Sequence, residues 1–132
     1  MMAVTFFDRE SHSNPANGTR VDSQGMLRTA LAGAAERQPF AYELVGYNSF
    51  NLLVGIGPKR GCVQYSSADG SPPYLMASGG DGGGDEFCEF LIGATPTPVP
   101  RQYCLPIEEV MSIAVHFVRS NERFPDVAWE EV

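Results

Sequence analysis

The sequence predicts an α+β fold: one antiparallel sheet of about six strands with two helices on one face. Three observations carry this. The stretch Phe50-Asn-Leu-Leu-Val-Gly-Ile56 sets Phe50, Leu52, Val54 and Ile56 on one face at a spacing of two, so it reads as the central strand. The strand-like segments around it are joined by short links with turn chemistry, too short for a crossover helix, so their pairing must be antiparallel. Two further stretches carry apolar residues at helical spacing on one side only.

Taken in order, Met2-Ala-Val-Thr-Phe-Phe-Asp8 is rich in Val, Thr and Phe and reads as an edge strand. Residues 9–19, crowded with Ser, Asn, Pro and Gly, form a loop. Asp22 or Ser23 supplies an N-cap for a helix running to about Arg37, with Met26, Leu27, Ala30, Leu31 and Ala34 on its buried stripe. Gly25 and Gly33 weaken that helix by about 1 kcal/mol each relative to Ala, so its packed face must compensate. Pro39 ends it. Phe40, Tyr42 and Leu44 then alternate along a strand over residues 40–46, and the central strand follows.

The turn Gly57-Pro-Lys-Arg-Gly61 reverses the chain into a short strand over residues 62–66. Residues 67–71 turn again, and Pro72-Pro73 restricts the approach to a strand over residues 74–77. The glycine-rich residues 78–85 lead to a strand over residues 86–92. Residues 93–100, with Thr and Pro at nearly every step, read as an extended connector whose prolines withhold ladder donors. A short strand over residues 101–104 precedes a final helix opened by Leu105-Pro106. Its stripe is Ile107, Val110, Met111, Ala114, Phe117 and Val118, and it stops near Asn121. In the tail, Trp129 is expected to fold back against the last helix or a sheet edge.

At 132 residues the chain can bury one core without a metal or disulfide staple, and one domain over residues 1–132 is the expectation. No run approaches the roughly 20 apolar residues that a membrane span needs, and residues 1–10 carry no basic leader, so the cytoplasm is the expected compartment. Three cysteines, Cys62, Cys88 and Cys104, have no close pairing in sequence and read as small buried apolar groups. The net charge of −7 argues against binding to nucleic acid phosphates and in favour of a basic partner.

Chemistry-bearing patterns are sparse. Only His12 and His116 could serve as the base of a nucleophilic pair, and neither lies in a recognisable motif. A zinc site from Cys62, Cys88, Cys104 and His116 lacks the usual local Cys-x-x-Cys pair, and the His-x-Glu with Pro-Cys-x-x-Cys signature of zinc deaminases is absent. Gly55-Ile-Gly-Pro-Lys-Arg-Gly61 joins two strands and misses the spacing of phosphate-binding loops. Gly79-Gly-Asp-Gly-Gly-Gly-Asp85 overlaps a calcium-binding nonapeptide only in part, and a single copy cannot stack into a β-helix. No metal and no cofactor is therefore expected. What stands out is a local acidic cluster, Asp81, Asp85, Glu86 and Glu89, with no Lys or Arg between Gly61 and Pro100. Together with Tyr74 it is the candidate surface for a cationic protein.

From about Phe40 to Val132 the chain resembles the first-numbered family of immunity proteins from bacterial polymorphic toxin systems. The likeness rests on Phe50-Asn-Leu-Leu-Val-Gly-Ile-Gly57, Gly61-Cys-Val-Gln-Tyr65, Asp69-Gly70 with Pro73-Tyr74, Leu105-Pro-Ile-Glu-Glu109 with His116-Phe117, and Arg123-Phe-Pro-Asp-Val-Ala-Trp-Glu-Glu131. Such a resemblance implies a non-catalytic cytoplasmic inhibitor of a toxin, often one of deaminase type. On that footing Asp81, Asp85, Glu86, Glu89 and Tyr74 are expected to cover the toxin's basic cleft. The alternative is an enzyme or small-molecule-binding domain with a pocket between sheet and helices, using His116 and Tyr65 or Tyr103. A calcium-dependent interaction module is a third reading.

Overall fold

A computed structural model describes residues 3–8, 15–32, 40–47, 49–56, 60–79, 87–92 and 95–132. In chain order the elements begin with β1 (Val4–Phe7), β2 (Thr19–Val21), α1 (Gln24–Ala32), β3 (Phe40–Gly46), β4 (Phe50–Ile56) and β5 (Arg60–Ser67). There follow β6 (Leu75–Ser78), β7 (Phe87–Ile92), β8 (Thr95–Pro100), a 3-10 turn (Arg101–Tyr103), β9 (Leu105–Pro106), α2 (Ile107–Ser120) and β10 (Ala128–Glu131).

Alternation along β4 sets the register of the sheet around it. Val54 lies opposite Tyr42 of β3 and Val63 of β5, and Leu52 lies opposite Leu44 and Tyr65. Tyr42, Leu44, Leu52, Val54 and Val63 are all fully buried on one face. The sheet extends antiparallel on both sides in the order β10-β6-β5-β4-β3-β1-β2, and β9 pairs with the start of β5. The predicted class holds, with an open antiparallel sheet, and the sheet is wider than the six strands expected. Among the described residues it reaches eight: the strand over residues 87–92 leaves it for a separate two-stranded sheet with β8, while β2, β9 and β10 are short segments that pairing, rather than their own sequence pattern, makes into strands.

Both helices share the buried face. Leu27 of α1 joins Val110, Ile113, Ala114, Phe117 and Val118 of α2 in one cluster with the inward residues of β1, β3, β4 and β5. Ser23 caps α1 as predicted, its Oγ accepting from the Met26 N–H at 3.2 Å. Met26 departs from the predicted stripe: it is 44% exposed, and Leu27 takes the inward position. The predicted continuation of α1 beyond Ala32 falls on residues 33–39, outside the described residues. In α2 the stripe also includes Ile113, which is fully buried.

The opposite face has its own smaller core, where Cys62 and Met76 meet Val99, Tyr103 and Cys104. Cys62 and Cys104 are thus buried free thiols, as their apolar neighbours implied. Residues 95–100 are not the unpaired connector predicted but β8, in a full antiparallel ladder with β7 from Phe87↔Pro100 to Ile92↔Thr95. The reason is positional. Pro96, Pro98 and Pro100 occupy every second place, so their donorless nitrogens all fall on the side away from β7. Residues 101–103, predicted as a strand, form a 3-10 turn that brings the buried Tyr103 under the sheet.

The end of α2 is locked by Asn121. It holds the left-handed backbone conformation (φ 55°, ψ 25°) that ends the helix, a region Asn tolerates better than most residues. Its fully buried side chain joins three elements. Oδ1 accepts from the Tyr47 N–H at 2.6 Å, while Nδ2 donates to the carbonyls of Ala3 at 2.9 Å and Phe117 at 3.0 Å. Gly46 is what allows this approach: a Cβ there would lie 2.7 Å from the Phe50 carbonyl oxygen and 3.1 Å from Asn121 Oδ1.

Candidate functional site

The turn between β5 and β6 is an exposed, hydrogen-bonded platform. Asp69 folds back on its own backbone, its Oδ1 accepting from the Ser71 N–H at 2.9 Å and the Ser71 hydroxyl at 2.5 Å. These donors, with a further one from the Ser67 hydroxyl, hold the Asp69 carboxyl down at about 2. Gly70 takes the positive φ of 82° that closes the turn, and its N–H bonds the Ser67 carbonyl at 3.0 Å. Past the cis Pro72-Pro73 bond, the Tyr74 hydroxyl donates back to the Gly70 carbonyl. Tyr74 is half-buried and its own carbonyl accepts from the Val132 N–H at 2.9 Å. Asp69 is an acid that the sequence reading treated only as a turn residue; the Asp-Gly-Ser pattern was the available signal.

Of the acids predicted to join Tyr74, Asp81, Asp85 and Glu86 lie outside the described residues. Glu89 stands on β7 opposite Pro98, and its side chain is likewise outside the description. Tyr74 precedes β6 and Gly79 follows it, so the four-residue strand separates the tyrosine from the start of the glycine-rich segment. Two further acids stand on the strand that pairs with β6. β10 pairs with β6 and sets Glu131 opposite Leu75 and Glu130 opposite Met76, both glutamates exposed. These were missed because the tail was read for its tryptophan and not as a strand.

Trp129 turns inward from the same strand, in partial agreement with the expected fold-back: it packs at the sheet edge against Tyr65, with ring centroids 6.1 Å apart. Its indole N–H donates to the Phe124 carbonyl at 3.0 Å. Arg123 lies over the Tyr65 ring, its guanidinium carbon 5.7 Å from the centroid. Partial burial raises the Tyr65 hydroxyl's pKa, the Arg123 charge opposes that shift and Glu122 adds to it.

The residues of the alternative pocket do not converge. His116 lines a groove of about 540 Å³ along the outer flank of α2, beside α1, with its ring 5.5 Å from Phe124. Tyr65 belongs to the tail notch around Trp129, and Tyr103 lies under the other face of the sheet, its hydroxyl 3.4 Å from Glu130. Among the described residues no three His, Cys, Asp or Glu side chains gather in a way that could hold a metal ion. Among them, too, no helix is long and apolar enough to cross a membrane.

Fold and surface together define an anionic α+β scaffold that displays a tethered turn, an acidic edge strand and shallow grooves. The family model of the immunity protein Imm1 matches residues 16–131, and the chain belongs to that family. Toxin immunity is the function this membership suggests, a toxin is the partner it implies, and immunity proteins in general act without catalysis. No curated protein and no solved structure matches the chain.

Proposed function

We propose that this protein is the cytoplasmic immunity partner in a bacterial polymorphic toxin system. It binds a cognate nucleic-acid-modifying toxin of deaminase type and covers the toxin's active-site cleft, as one immunity-protein-like domain over residues 1–132. The observation that carries this reading is family membership over residues 16–131, joined to an excess of acids, 16 against 9 basic residues. A cleft that binds nucleic acid is lined with Lys and Arg, and an acidic scaffold competes for those charges while being repelled by nucleic acid itself. The protein needs no cofactor for this, because occlusion is a matter of surface fit.

Asp81, Asp85, Glu86, Glu89 and Tyr74 are the proposed toxin contacts. Co-expression with the toxin encoded beside this gene should restore growth of a sensitive host. In purified form, reversing Asp81, Asp85, Glu86 and Glu89 to Lys should slow association with the toxin tenfold or more at low salt and change dissociation much less. Growth arrest that co-expression does not relieve defeats the immunity reading. An unchanged association rate defeats only this choice of contacts.

A further inference from the structure

We propose that the groove between α1 and α2 is a second docking site, built for a short amphipathic segment of a partner protein that inserts apolar side chains and sets carboxylates beside them. The floor comes from the way α2 is rotated. Ile107, Met111 and Val115 recur every four residues down its flank, and each is only half-buried, leaning on the core with one side and facing the groove with the other. Phe124, just past the helix, closes the far end. From Ile107 to Arg119 this stripe runs about 18 Å at 1.5 Å per residue, the length of three helical turns.

The rim carries the opposite charge to the rest of the molecule. Arg28 of α1 and Arg119 of α2 both line the groove, together with His116, and among the described residues that line it Glu108 is the one acid. Both arginines are exposed, and among the described residues neither has a carboxylate partner. The Gln24 side-chain carbonyl, in the orientation that satisfies both groups, accepts from Arg28 Nη2 at 3.0 Å and Nε at 3.2 Å, which holds that guanidinium at the rim. A locally cationic, apolar-floored cleft of about 540 Å³ on a chain of net charge −7 is complementary to an acidic amphipathic segment.

Two other occupants fit less well. An anionic membrane would repel the molecule as a whole, and a concave floor offers it no protruding apolar face. A small anion would use the arginines and leave the apolar floor uncovered.

The test needs no knowledge of the partner and no toxin, so its outcome is separate from that of the immunity reading. A phage-displayed library of random twelve-residue peptides is selected on the full chain, and the enriched peptides are measured by titration against wild type, R28E/R119E and M111E. Enriched sequences should carry one or two large apolar residues flanked by Asp or Glu, and should lose at least tenfold in affinity on the double arginine variant. That variant changes two exposed side chains and should melt with the wild type, so it stands even if M111E is destabilised. Enrichment of basic or uncharged peptides, or binding that survives R28E/R119E, overturns the proposal. So does a concentration-dependent dimer that R28E/R119E abolishes, which would give the groove to a second copy. Binding to phosphatidylserine vesicles that the same variant removes would give it to a membrane and overturn the proposal equally.

Discussion

Asn121→Ala should be among the most damaging single changes outside the apolar core. The substitution removes three side-chain hydrogen bonds at a fully buried position. The Phe117 carbonyl keeps a partner, because the backbone N–H of residue 121 still reaches it at 2.7 Å. The Ala3 carbonyl, bonded in a buried setting, and the part-buried Tyr47 N–H do not keep theirs from this side chain. Stranding a buried polar group costs roughly 1–3 kcal/mol, and an alanine held in the left-handed region adds about 1–2 kcal/mol. The sum is about 2–5 kcal/mol. With about 2.1 cal/mol/K of unfolding entropy per residue over 132 residues, each kcal/mol moves the melting point by about 3–4 °C, so Tm should fall by about 7–18 °C. Asn121→Gly separates the two contributions: glycine accepts the backbone conformation but restores no bond, and should melt about 4 °C above the alanine variant. Thermal and urea unfolding followed by circular dichroism measure both. An alanine variant within 1 kcal/mol of wild type, or a glycine variant no better than alanine, would refute the reasoning.

A pair of glycines gives opposite signs. Gly46→Ala drives a Cβ to 2.7 Å from the Phe50 carbonyl oxygen and should cost about 2 kcal/mol, whereas Gly25→Ala in α1 meets nothing within 4 Å and should gain roughly 0.5–1 kcal/mol in urea unfolding. Asp69 titrates at about 2 when folded, below its ordinary 3.8. Its stabilising effect is therefore complete above pH 4 and is lost as pH falls through 2; Asp69→Asn should flatten the stability curve only in that acid window, read from melts across pH. Trp129→Phe should cost about 1 kcal/mol for the lost bond to the Phe124 carbonyl, and Trp129→Ala about 2 kcal/mol or more, because the contact with Tyr65 goes as well. Equal melting points for these two variants would show that the ring contact contributes nothing.

What was legible in the sequence was what a single element encodes by itself. The one-sided apolar period of β4, the Ser23 cap and most of the inward stripe of α2 need no neighbour to be recognised and are where they are expected; in α2, Ile113 joins the stripe while Ile107 and Met111 are only half-buried. β2 and β9 were not legible, because strands of three and two residues exist only through the partner they pair with. β10 was hidden for a related reason: Trp129 signalled burial, but nothing in Ala128-Trp-Glu-Glu131 signals that the chain returns to β6. β8 was misread through a sound rule applied without register, since prolines break a ladder only where their nitrogens must donate. For the site, Tyr74 falls in an ordered, exposed turn, while the groove lined by Arg28, Met111 and Arg119 could not be seen at all. It depends on the angle between two helices, and no pattern within one helix states that angle.

The spacing of the three prolines in β8 has a consequence for how the molecule meets its neighbours. A strand arriving at the outer side of that hairpin would find, at every second residue, the carbonyl oxygen of Pro96, Pro98 or Pro100 and no hydrogen offered in return. That flank is sealed by covalent structure, independent of salt, pH or charge, whereas the border at β10 is guarded only by its exposed glutamates. Removing those charges, as in E130Q/E131Q, should therefore open the molecule to self-association along one border and leave the other mute.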